Sequence, residues 1–322
     1  LNYGKLSLLF LLNSCSNPSK KIKISLQSSF YPKSFKDILP KTWQQENINF
    51  EKLKIEKNKT KFLNSDFTLI NDGWINSIDL ESFQNIKYLF DNDKLDSRSK
   101  EFLDSLGGYK SNKLFPIGVV PYALIIKNNK DLINAANQSW DFLLSKKLKG
   151  KIIFPQSPRI IMSIAKKISA KNSLSKLKSQ AMINDDQNSL NWLINSHASV
   201  AILPFSLCLK YLRFDSRLSI VFPEKGVPLM WNFIISRSNL NNQTLIDWVN
   251  SLEEDSIIDK LANHGWYLPF KNKYTQSKYN LKTEKNNFGP SKICWENSWS
   301  FSTLDNKQKL YLENLWNESS TP

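Results

Sequence analysis

Apolar and polar residues alternate through KIKISLQ (21–27), the period of a strand with one buried face. FKDILPKTWQQENI (35–48) has the wider spacing of a short amphipathic helix, with Pro40 early in it, and NINFEKLKI (47–55) predicts a second strand. DFTLINDGWINSI (66–78) predicts an apolar strand that ends in a loop, Asn71-Asp72-Gly73, with Trp74 just beyond. The run LFPIGVVPYALIIKNN (114–129) is strongly apolar but contains Pro116, Gly118 and Pro121. Proline lacks the amide that a central strand needs. The run therefore reads as a crossing point between two lobes and not as one continuous strand. SWDFLLSKKLKGKIIFPQSPR (139–159) predicts a short helix, a Lys-Gly-Lys turn, a strand and a loop. The helix RIIMSIAKKIS follows, and its start near Ser157 presents free backbone N–H groups and a positive dipole end.

NSLNWLINSHASVAILPFSLCLKYL (188–212) predicts a helix, an apolar strand, and Pro204-Phe205-Ser206 opening another helix. FPEKGVPLMWNFIIS (222–236) is a second apolar strand with prolines at its start, interrupted by the amide of Asn232. TLIDWVNSLEEDSIIDKLANHG (244–265) predicts one helix, and QKLYLENLW (308–316) a closing amphipathic segment. Strands that alternate with helices predict an α/β fold with a mainly parallel sheet. Ligands of such sheets lie at the carboxyl ends of strands, which is where Asp72 and Trp74 fall. Two proline-marked crossings predict two lobes joined by paired hinge strands.

The 322 residues are 41% hydrophobic and 12% aromatic, enough apolar mass for real cores and too much for global disorder. The formal net charge is +15, but the lysines are spread along the chain. The densest segments, 51–61 and 166–178, lack the aromatic interleaving that base stacking uses. A solvated basic surface is therefore expected, and nucleic acid is not a predicted partner. The cysteines are Cys15, Cys208 and Cys294, an odd set with no CxxC spacing. The two histidines, His197 and His264, have no metal-ligand spacing, and no phosphate-binding glycine loop or nucleophile elbow occurs. No metal, no cofactor and no catalytic residue is predicted, and the chain is not expected to be an enzyme.

The first residues, LNYGKLSLLFLLNSC, place Lys5 before a short apolar stretch, Leu6 to Leu12, then Asn13-Ser14 and Cys15. That is the order of a secretory signal, and the stretch is too short to cross a bilayer core of about 30 Å. LNSC resembles the bacterial lipobox, which implies lipidation of Cys15 and a membrane anchor through lipid chains. The chain starts with Leu and not Met, which fits an alternative start codon or a truncated gene. An apolar N-terminal strand with an ordinary Cys is the other reading. Residues 16–20, polar and flexible in composition, read as a tether.

Several stretches in order resemble the bacterial extracellular solute-binding proteins of ABC importers, the two-lobed family that includes spermidine/putrescine-binding proteins. DFTLINDGW resembles a strand followed by an Asp-x-Trp ligand loop, VVPYALIIKNN a Val-Pro-Tyr crossover, and SWDFLLSKKLKGKIIFPQSPR a Ser-Trp…Lys-Gly-Lys segment before a ligand loop. VFPEKGVPLMWNF is similar to the Pro-Glu-x-Gly turn and return crossover, HGWYLPF to a Gly-Tyr-x-x-Pro-Asn signature, and YLENLW to a closing helix. Together they cover roughly residues 21 to 318. The resemblance implies an α/β, two-lobed periplasmic-binding-protein fold of type 2, with hinge crossovers and a ligand cleft between the lobes. The expected lobes are residues 21–118 plus 232–270 and residues 119–231 plus 271–322.

The same resemblance implies a monomeric receptor in the periplasm or cell envelope that hands a small solute, a polyamine or another amine, to an inner-membrane permease. The implied ligand residues are Asp72, Trp74, Ser157, Arg159, Phe205, Met230, Trp231 and Asn232, with Ser28 and Tyr31 after the first strand. Polyamine-binding relatives carry an acid at the position of Asn232 and acids where this chain has Gln156 and Ser157. Asp72 is the remaining acid in a ligand loop, with Glu224 a weaker second. The missing acids argue against a tightly held di- or tri-cation. They leave open a monocation, a neutral polar solute or a zwitterion and, with Arg159, an anionic group. Core or hinge roles are the competing readings of Asn232, Trp74 and Phe205. Two other functions stay open: an enzyme on the same fold using Cys208, and an envelope lipoprotein with a degenerate pocket and a structural or sensory role.

Overall fold

The computed structural model describes residues 21–27, 31, 33–49, 65–87, 91–127, 129–237, 243–271, 289–301 and 304–319. Cys15 and Ser28, the tether and the expected strand end at 50–55 lie outside the described residues. Nine strands are formed among those that are described: β1 (Lys23–Leu26), β2 (Gln44–Asn47), β3 (Phe67–Asn71), β4 (Phe115–Lys127), β5 (Ile152–Phe154), β6 (Ala181–Asn184), β7 (Val200–Pro204), β8 (Leu218–Val221) and β9 (Leu229–Ser236). They run in the order β2-β1-β3-β9-β4-β7-β5-β6, with β8 also on β4.

This one path contains two sheets. β4 is 13 residues long, and its first half pairs antiparallel with β9 from Phe115↔Ile234 to Pro121↔Leu229. From Tyr122↔Pro204 onward it pairs antiparallel with β7, and from Leu124↔Val221 with β8. The strand thus changes partners between Pro121 and Tyr122. The two lobes hang from it, one built on β1, β2, β3 and β9 and the other on β5 to β8. By this pairing β4 runs with the first sheet up to Pro121 and with the second from Tyr122, and β9 pairs within the first sheet from Leu229.

The prolines are compatible with a continuous β4 because of where they fall. Pro116 lies at a register shift between Pro116 and Gly118, and Pro121 at the handover, where missing amides cost little. The expectation of a broken strand is corrected on this point, while the crossing between lobes is observed. The sheets are also mixed and not mainly parallel. β1 pairs parallel with β2 and β3, and β5 parallel with β6 and β7, but β9, β4 and β8 run antiparallel to their neighbours.

Two boundaries differ from the pattern. The helix expected over 35–48 is Lys33–Ile38, and Gln44–Asn47 forms β2. Pro40 cannot continue a helix and biases the preceding residue toward extended backbone. β2 is an edge strand with polar, mostly exposed side chains, so it carries no apolar alternation. The helix expected over 244–265 is two, Gln243–Ser251 and Asp255–Ala262. Leu245, Trp248, Val249 and Leu252 form one buried stripe, but continuing its phase would bury Asp255 or Ser256. The chain resets, and Ile258 and Leu261 begin a new stripe.

In the first lobe an aromatic cluster links Tyr31, Phe35, Trp43, Phe67, Trp248 and Trp266. HGWYLPF returns to β4, where Val119 and Tyr267 exchange backbone hydrogen bonds of 2.8 and 3.0 Å. This lays the Trp266 indole on Gly118, so close that a Cβ there would fall 1.9 Å from Trp266 Nε1. The FPEKG turn needs its glycine as well: Gly226 has φ +85°, and its carbonyl accepts from Trp140 Nε1 at 2.9 Å. The closing helix, Asn306–Glu318, joins the second lobe through Lys178, whose ammonium donates to the Trp316 carbonyl and sits 4.3 Å over its ring. Among the described residues no helix is long and apolar enough to cross a membrane.

Candidate functional site

β1 and β3 are parallel neighbours, so their carboxyl ends lie on one edge of the first sheet, next to the handover on β4. At the end of β3 the Asn71 side chain accepts from the Gly73 N–H at 3.1 Å and caps a single helical turn, Asp72–Ser77. Asn71 does the capping, so the carboxylate of Asp72, the next residue, is released from that task. The backbone amides of Trp231, Gly73 and Asp72 itself lie close enough to the Asp72 carboxylate to favour its charged form, but Oδ2 has no hydrogen bond. Burial pushes its pKa up to about 6, and the Arg159 guanidinium and those amides pull the other way without winning. Half-buried Trp74 stands in the same turn.

The second lobe supplies Arg159. β5 ends at Phe154, a loop exposes Gln156, and the helix Pro158–Ala165 starts with proline at its first position, where the missing N–H costs nothing. Ser157 is the N-cap residue, half-buried, with no capping bond from its side chain. Arg159 Nη2 lies 3.7 Å from Asp72 Oδ2, and its guanidinium stacks 4.2 Å over the Phe301 ring. This pair joins one lobe to the other. Tyr122, the first residue of β4 beyond the handover, lies within electrostatic reach of Asp186, Asp72 and Arg159, and burial holds its phenol neutral.

β9 contributes its backbone and one amide. Its side chains alternate, with Trp231 and Phe233 on one face and Met230 and Asn232 on the other. Trp231 stacks on Phe102 at 4.8 Å, and its indole N–H donates to Ser300 Oγ at 2.8 Å. Its ring therefore belongs to the core, and its backbone amide lies near the Asp72 carboxylate. Asn232 sits between Asn71 on β3 and Gly118 on β4 and is 0% exposed, yet neither Nδ2 nor Oδ1 has a partner. Asn232 is a core position by burial, but its amide is not hydrogen-bonded. Such a group costs about 1–3 kcal/mol of desolvation, which a packed core has no reason to keep. Tyr31 Oη and Gln27 Oε1, after and at the end of β1, are also buried without partners.

Of the residues expected from sequence, Asp72, Trp74, Ser157, Arg159, Met230 and Asn232 fall around the handover, and Tyr31 follows β1. Phe205 does not form an open wall. It is buried at the start of the helix Phe205–Leu212, edge-on to Phe222 at 5.1 Å and against Gly265. Glu224 is exposed in its turn. Cys208 is buried, its thiol donates to the Phe205 carbonyl at 3.1 Å, and burial raises its pKa, so it is an inert neutral thiol. Sequence reasoning missed Gln27, Asp186 and Phe301 and saw Tyr122 only as part of the Val-Pro-Tyr crossover. Gln27 was visible as the polar end of a strand; nothing in the sequence marks Phe301. Among the described residues no group of three or more His, Cys, Asp or Glu side chains could hold a metal ion.

No family model matches the sequence, and no curated protein matches it. Solved structures do share the fold. A spermidine/putrescine ABC transporter substrate-binding protein from Streptococcus pneumoniae superposes with a TM-score of 0.65 at 14% identity, covering 94% of this chain and 98% of its own. A lipoprotein of Treponema pallidum gives 0.61 at 13% identity, covering 93% and 99%. A ferric binding protein from Campylobacter jejuni gives 0.59 at 12%, covering 92% and 99%. The fold is the two-lobed, type 2 periplasmic-binding fold, over nearly the whole chain.

Proposed function

We propose that this chain is the substrate-binding component of an ABC importer. It captures a small polar solute between its two lobes at the β4 handover and delivers it to a membrane permease. The observation that carries this reading is Asn232, buried on β9 beside the handover with no hydrogen bond to Nδ2 or Oδ1, next to the buried Asp72 carboxylate, whose Oδ2 meets Arg159 across the lobes; Tyr31 Oη and Gln27 Oε1, beyond β1 in the same lobe, are buried without hydrogen bonds as well. A protein that does no more than fold gains from removing such groups, whereas a receptor holds them ready for a ligand. The solved neighbours support the reading by their shared architecture, and the polyamine binders among them motivate an amine as one candidate solute. The lipobox-like LNSC supports a protein held in the envelope by lipid on Cys15, with the two-lobed body working as a monomer.

One observation favours a second reading, an envelope lipoprotein whose pocket has lost its ligand. The Asp72–Arg159 contact of 3.7 Å joins the lobes from within the chain. A thermal-shift screen of the full-length chain against polyamines, amino acids, betaines, sugars and vitamins separates the two. A solute at a hundred times its Kd adds about 2.7 kcal/mol to stability. The receptor reading expects such a shift, abolished by Asp72→Ala or Trp74→Ala. No shift with any solute class rules it out in favour of the second reading.

A further inference from the structure

Resting on the receptor reading above, we infer that the cleft selects an uncharged solute that presents a hydrogen-bond donor beside an acceptor, and that Asn232 reads that edge. Carboxamides, ureas and amino-substituted nitrogen heterocycles have this chemistry. Asn232 lies on β9, held on one side by Asn71 of β3 and on the other by Gly118 of β4, so its backbone cannot shift to find partners. Both its amide atoms are buried and open. A side-chain amide offers one donor and one acceptor side by side, and its complement is the same pair reversed, as when Asn reads the amino-nitrogen edge of adenine. An ammonium has only donors and a carboxylate only acceptors, so either would leave half of Asn232 unsatisfied.

The charges of the cleft point the same way. Asp72 faces Arg159 at 3.7 Å. Asp186 accepts the Gln156 N–H at 3.2 Å. Arg159 rests on Phe301. The other open groups, Tyr31 Oη and Gln27 Oε1, are neutral. A dication entering here would find the Asp72 carboxylate already opposite a guanidinium.

Isothermal titration of the full-length chain with nicotinamide, cytosine and putrescine tests this, with Asn232→Leu and the isosteric Asn232→Asp as variants. Nicotinamide or cytosine should bind more tightly than putrescine, and Asn232→Leu should weaken the neutral probe about tenfold or more. Asn232→Asp, which replaces the donor with charge, should also weaken the neutral probe and reverse the order in favour of putrescine. It keeps the test alive if the leucine variant does not fold. Putrescine binding the wild type most tightly, neutral binding unaffected by either variant, or a hit from the wider screen that lacks such an edge would each overturn the inference and leave the receptor reading standing. No binding by these probes or by any solute of the wider screen would overturn both.

Discussion

Replacing Asn232 with leucine should make the ligand-free protein more stable, the reverse of the usual effect of changing a residue that is 0% exposed. Leucine nearly matches asparagine in shape but carries no polar atoms. The two open atoms, Nδ2 and Oδ1, cost about 1–3 kcal/mol each when buried without partners. Repacking around a side chain of similar volume returns up to about 1.5 kcal/mol of that. The two atoms together cost about 2–6 kcal/mol, and the net gain after repacking is roughly 0.5–6 kcal/mol. For a chain of this size about 2 °C accompanies each kcal/mol, so Tm should rise by several degrees. Urea unfolding followed by tryptophan fluorescence and circular dichroism together measures the gain and tests whether the two lobes unfold in one step. A loss of 1 kcal/mol or more would refute the reasoning, because it would mean that Asn232 is satisfied in the free protein and holds nothing in reserve. Gaining stability by removing a functional group is the trade expected of binding sites.

Other expectations concern the neighbours of that amide. The Asp72 carboxyl binds its proton more tightly folded, at about 6, than unfolded, near 3.8. Its contribution to stability is therefore greatest below pH 4 and is lost as pH rises from about 4 to 6, by up to about 3 kcal/mol. Unfolding free energies of wild type and Asp72→Asn should diverge across that window, with the variant the more stable at pH 7; parallel pH profiles would contradict this. Arg159→Gln removes the charge that lowers the Asp72 pKa, so the Asp72 carboxyl, followed by NMR, should titrate above about 6; an unchanged or lower value would mean that the cross-lobe pair is not formed in solution. Gly118→Ala drives a Cβ to within 1.9 Å of Trp266 Nε1 and should cost about 1–3 kcal/mol with a change in tryptophan emission; full stability would show that the indole does not lie on that glycine.

The parts of the fold most legible in the sequence were those where one residue type admits one explanation. Prolines inside two apolar runs marked β4 and β9 as special strands. What the prolines could not reveal was that β4 is unbroken, since that depends on a register shift at Pro116 and a change of partner at Pro121, both properties of the pairing strands. β2 was hidden by its exposure, because an edge strand facing water has no apolar period. For the candidate site, chemistry and position along a strand pointed to Asp72, Arg159 and Asn232, which the structure brings near the handover. Which side of β9 the Trp231 ring takes depends on the distant Phe102 and Ser300, and Phe301 reaches Arg159 only through the path of the chain's last segment. Local pattern carries no trace of such partners.

Hydrogen exchange of the full-length chain, with and without a solute found by the thermal screen, tests most directly whether the two lobes close on a ligand at the β4 handover. Protection should rise together in three segments that are far apart in sequence: the Asp72 turn and residues 229–232 from the first sheet, and the start of the helix Pro158–Ala165 from the second. Protection confined to one lobe, or placed away from these segments, would contradict the account.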